Sequence, residues 1–133
     1  MEPRVALRCH SDPVTNRWYG VTIDCVDPER LAAFWGALLG REPSDEMDGE
    51  GWATIGSRSD PQPRLTFQRV PEPCSGKVRL HLDVQVDDIG AGIAEVARLG
   101  GGATGERHDY DEGRVVVMTD PEGHEFCLVQ LFD

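Results

Sequence analysis

The chain has 133 residues and a formal net charge of −11, enough length to bury one core and too little for two ordinary independent domains. The acidic balance argues against partners that present phosphate, nucleic acid or an anionic membrane surface, because such binding needs clustered Lys and Arg to displace counterions. The acidic residues are spread along the chain, which suits either a solvated surface or a cavity for a cationic ligand.

No run approaches the roughly 20 apolar residues of a membrane helix, and MEPRVALRCHSDP lacks the charged-then-apolar pattern of a signal peptide, so a cytoplasmic location is expected. Cys9, Cys25, Cys74 and Cys127 are widely spaced without a CxxC pair, which predicts reduced thiols rather than a zinc ribbon or a thioredoxin-like motif.

Residues 1–17 carry Cys9, His10 and Pro13 and are expected to form an arm or an extra strand. In GVTIDCVD (20–27), Val21, Ile23 and Cys25 alternate with Gly20, Thr22 and Asp24, the period of a half-buried strand. A helix follows: Asp27 caps, Pro28 suits the first position, Leu31, Phe34, Trp35 and Leu38 recur at helical spacing, and Gly40 ends the run. Residues 51–56 and 64–70 read as strands. The Pro-rich segment 71–77 can continue neither a helix nor a central strand and separates the halves.

The same grammar returns in HLDVQVDD (81–88), where Leu82, Val84 and Val86 alternate with His81, Asp83 and Gln85. Asp87 or Asp88 caps a second helix with an apolar stripe of Ile89, Ile93 and Val96, closed by Leu99-Gly100. His108, in RHDYDEG, falls near a predicted loop. Residues 114–119 and 125–131 read as strands joined by Asp120-Pro121-Glu122-Gly123, whose Pro and Gly favour a chain reversal and hence a terminal hairpin. The expected units are an arm (1–17), module one (18–70), a linker (71–77) and module two (78–133). Each module alone is too small to cover both faces of its sheet, so the two combine around a shared interior.

VDPERLAAFWGALLG (26–40), LHLDVQVDDIGAGIAEVARLG (80–100) and TDPEGHEFCLVQ (119–130), in that order and on top of the repeat, resemble the glyoxalase/bleomycin-resistance/extradiol-dioxygenase (vicinal oxygen chelate) superfamily, in particular its small glyoxalase-like domains. The resemblance implies an α+β fold of two βαβββ modules that form a curved mixed sheet around a central cavity, with homodimers common. It leaves function open among metal-dependent lyase, isomerase or dioxygenase chemistry, thiol transfer, and metal-free sequestration of bleomycin-like drugs.

Metal-using members place four ligands around a divalent ion, on the first and last strands of each module. Carried over, the ligand positions fall at Gly20 (seven residues before Asp27), Gln68, His81 (seven before Asp88) and Cys127. His81 and Gln68 fit the pattern. Gly20 has no side chain and Cys127 stands where Glu is usual. Residues two apart share a strand face, so Asp24, Asp83 and Glu125 join the candidates. His81 and Glu125 are the expected acid–base pair, and Asp24, Trp52, Gln68, Asp83 and Cys127 the expected ligand-binding residues. Each has a plainer alternative. His81 beside Asp83 also reads as a structural hydrogen-bonded pair, Glu125 as a hairpin cap, Trp52 as core, and Cys25 and Cys127 as small core residues. The resulting expectation is a small-molecule-binding protein, metal-free or with an atypical metal site. Its alternatives are a metal-dependent enzyme of this type, a bleomycin-like drug binder, or a partner domain with a vestigial cavity.

Overall fold

The computed structural model describes residues 18–45, 50–76 and 78–132; the expected N-terminal arm lies outside them. The chain runs β1 (Gly20–Cys25), α1 (Pro28–Leu39), β2 (Pro43–Ser44), β3 (Trp52–Ile55), β4 (Arg64–Arg69), β5 (Asp83–Gln85), α2 (Ile89–Arg98), β6 (Gly102–Asp109), β7 (Gly113–Thr119) and β8 (Glu125–Leu131). The strands form two four-stranded mixed sheets, in the orders β1-β4-β3-β2 and β5-β8-β7-β6. These are the two βαβββ modules, as two sheets rather than one continuous sheet among the described residues.

Local chemistry sets the helix ends. Asp27 caps α1 by accepting from the Arg30 amide at 3.2 Å, and Pro28 follows, where a missing N–H costs nothing. Gly40 closes α1 in the left-handed region at φ 66°, so that the Arg41 amide reaches Gly36 O at 2.9 Å. Of the two candidate caps for α2, the structure uses Asp88, which accepts from the Ala91 amide at 2.8 Å.

Strand alternation sends Ile23 and Cys25 of β1, Leu65 and Phe67 of β4, and Met118, Phe126 and Leu128 of β7 and β8 into one core with Leu31, Phe34 and Trp35 of α1 and Val96 of α2. Trp35 is fully buried and packs edge-on against Phe126 with ring centroids 4.7 Å apart. The first helix therefore packs on a strand of the second module as well as on its own sheet, and this shared core holds the modules together. The opposite sheet faces carry Thr22, Asp24 and Gln68 in the first module and Asp83, Glu125 and Cys127 in the second.

One sequence expectation needs correction, and one strand was not expected. The strand expected over 81–88 is only Asp83–Gln85 in extent, because β5 is an outer strand with β8 as its single neighbour; His81 lies in its approach. His108 does lie near a loop, one residue before the end of β6, but β6 itself is an outer strand whose residues 103–109 are all exposed, so no apolar alternation marks it in the sequence.

Candidate functional site

The free edges of the two sheets, β1 and β5, face each other across a seam, and a cavity of about 340 Å³ opens there. Its apolar walls are Trp18, Val21, Ile23, Leu80 and Leu82; its polar groups are Thr22, Asp24, His81 and His124. Trp18 is 69% exposed and Leu80 81% exposed, so two large apolar side chains stand open at this cavity. The Trp18 indole is oriented, because its Nε1 donates to Gly20 O at 3.0 Å. A second cavity of about 270 Å³ shares Trp18, Val21 and Leu82 with the first and adds Asp83. A few polar groups among apolar walls describe a site for a small organic ligand.

The other expected site residues lie in two further groups. Gln68 on β4 is opposite Asp24 on β1 and Trp52 on β3, so these three form one row across the first sheet. Trp52 lines a different cavity, of about 630 Å³, with Ala32, Ala33 and Gly36 of α1. On the second sheet Cys127 is opposite Asp83 and Val117, and Glu125 is opposite Thr119 at the start of β8. Burial raises the Cys127 thiol above its ordinary range, and the carboxylates of Asp83, Glu106 and Glu125 push it further in the same direction. A neutral, buried thiol is a poor nucleophile. Cys25 behaves likewise: burial, followed by the charges of Glu122, Asp120, Asp24 and Asp27, pushes it up to about 12, and its Sγ donates to Gln68 O at 3.7 Å.

Among the described residues the donor set does not fit a metal centre. Among the described residues no three His, Cys, Asp or Glu side chains converge in a way that would hold an ion. His81 lines the seam cavity, and Gln68, its expected co-ligand, is not among that cavity's lining. Gly20 contributes no donor, and Cys127 is held in its neutral form, whereas metals bind the thiolate.

The sequence matches the family described as Glyoxalase-like domain over residues 20–129. The chain belongs to the glyoxalase-like domain family, within the vicinal oxygen chelate superfamily. No curated protein matches it. Solved structures share its fold at low identity. A glyoxalase/bleomycin resistance protein/dioxygenase family enzyme from Burkholderia phytofirmans PsJN superposes with a TM-score of 0.74 at 14% identity, covering 88% of this chain and 100% of the other. Fosfomycin resistance protein FosX from Mesorhizobium loti does so at 0.65 with 15% identity, covering 90% and 95%. The oxidase ChaP-H2 does so at 0.63 with 19% identity, covering 88% and 94%. At these identities the likeness is one of fold.

Within this glyoxalase-like domain the structure brings Asp24 and His81 into one cavity and leaves Gln68, Trp52, Asp83, Glu125 and Cys127 outside it. Sequence reasoning passed over Trp18 and His124. Neither lies in a strand, so face-by-face parity says nothing about them. The one available signal for His124 is its position directly after the turn that sets the final hairpin.

Proposed function

We propose that this glyoxalase-like domain binds a small organic cation with a planar apolar body in the seam cavity, using side chains alone. The observation that carries this reading is the cavity lining: one carboxylate, Asp24, and two imidazoles, His81 and His124, among Trp18, Leu80 and Leu82. Asp24 supplies the counter-charge. The Trp18 indole offers a π face to a cation, an attraction that strengthens as water is excluded. The imidazoles and Thr22 supply directional hydrogen bonds, and the net charge of −11 attracts cations over longer range.

Tryptophan fluorescence during titration with cationic aromatics such as proflavine tests this. Saturable quenching is expected, weakened at least tenfold by Asp24→Asn, a loss of about 1.4 kcal/mol. No saturable response from any member of a varied panel would sink the reading.

The two imidazoles in one cavity with a carboxylate favour a second reading, proton transfer on the bound molecule in a lyase or isomerase reaction, with His81 as base. That reading expects His81→Ala to abolish turnover while leaving ligand affinity within a few-fold. The exposure of Trp18 and Leu80 also supports a homodimer that covers them, and sedimentation equilibrium checks it. A monomer at all concentrations would refute the dimer.

A further inference from the structure

The walls of the seam cavity belong to different modules: Asp24 lies one residue before the end of the first strand of one, and His124 follows the final turn of the other. Between them lies a contact that neither module could make alone. The Glu122 carboxylate accepts from the Val26 amide at 2.8 Å through Oε1 and from the Asp27 amide at 2.7 Å through Oε2. These two amides immediately precede α1, at the end of the helix where its dipole is positive and an anion is stabilised.

The turn that presents Glu122 is itself held by hydrogen bonds. Buried Asp120 accepts from the Glu122 amide at 2.9 Å and the His124 amide at 3.0 Å through Oδ1, and from Trp35 Nε1 at 3.2 Å through Oδ2. Gly123 completes the reversal at φ 86°, which an L side chain would resist. The hairpin turn is thus bonded to α1 at two places, its start and its middle.

We infer that Glu122 is a positioning residue that sets the width of the ligand cavity by clamping the final turn to the start of α1. Glu122 lies two residues from His124, and the amides it holds lie two and three residues from Asp24, so any slip of the clamp moves the two polar walls relative to each other. The functional part of this role rests on the seam cavity being the ligand site; the mechanical part does not. The raised Cys25 pKa, to which Glu122 makes the largest contribution of any charge, agrees with a carboxylate held against the end of β1.

The test uses the full chain labelled with 5-fluorotryptophan, in wild type, Glu122→Gln and Glu122→Ala. Fluorine NMR then reads Trp18 in the cavity wall, Trp35 at the clamp and Trp52 on β3, two strands from β1. Gln keeps one carbonyl acceptor for the two amides and Ala keeps none, so the displacement should be graded. Trp18 and Trp35 should shift more in the Ala variant than in the Gln variant, while Trp52 stays in place. A Trp18 resonance at its wild-type position in both variants overturns the inference. Equal shifts at all three tryptophans would mean general loosening and overturn it too. In the same samples proflavine affinity should fall about tenfold for Ala and about threefold for Gln. If wild type fails to bind proflavine, the ligand reading fails on that result, and the fluorine spectra alone decide the clamp.

Discussion

The two modules repeat one plan, yet their helices are anchored differently. The Val26 and Asp27 amides just ahead of α1 are held by Glu122, which belongs to the other module, whereas the Ile89 amide that starts α2 donates at 2.7 Å to Oε1 of Gln130 on its own module's β8. The terminal hairpin holds both helix starts. Module one thus depends on module two for its helix anchor and for part of its core, through the packing of Trp35 on Phe126, while the anchor of α2 is internal to module two. A repeat in sequence therefore does not imply two equivalent halves in mechanics.

That asymmetry is open to direct attack. Trp35→Ala removes a fully buried ring that spans the modules and the donor to Asp120, and should cost about 3–5 kcal/mol in urea unfolding. Val96→Ala, at an equally buried site on α2, should cost about 2 kcal/mol. Equal losses would break the comparison.

A smaller effect is expected where α2 leads into β6. A Cβ on Gly101 would stand 2.4 Å from Thr119 O and 2.7 Å from Cγ1 of Val96, so Gly101→Ala forces a backbone shift and should cost about 1–3 kcal/mol. At Gly40, which closes α1, an added Cβ meets nothing within 4 Å and the left-handed φ alone opposes it, at about 1 kcal/mol. Unfolding midpoints of the two variants would sharpen the contrast, and a costlier Gly40→Ala would reverse it.

The last contrast concerns pH. The Cys25 thiol is raised from 9.0 to about 12 in the folded chain, so the native state keeps a proton that the unfolded chain loses. Its contribution is complete below about pH 9 and is lost as the pH climbs toward 12. Comparing wild type and Cys25→Ala at about pH 8 and about pH 10.5 should show a shallower alkaline loss in the variant. Identical slopes would remove the thiol from the account.

The sequence by itself determined the two-module plan, both helices to within a residue of their ends, and the strands β1, β3, β4, β7 and β8, because capping residues and apolar periodicity are local signals. It missed β6, whose residues GATGERHD are polar on both faces of an exposed outer strand and carry no alternation. It also extended β5, since the chain does not reveal that only β8 pairs with it. Strand parity pointed to Asp24 and the family resemblance to His81, and both line the seam cavity. Neither signal could sort these two from Gln68, Trp52, Asp83, Glu125 and Cys127, because parity gives the face of a residue and a motif its place in the chain, and neither gives the distance to a residue on another sheet. The rest was decided by tertiary structure alone. Trp18 and His124 enter the cavity from outside the strands, and the bonds from Glu122 to Val26 and Asp27 join residues 96 and 95 positions apart. Contacts at such separation leave no periodic trace in the chain; they exist only once the shared core has brought the final turn against the first helix.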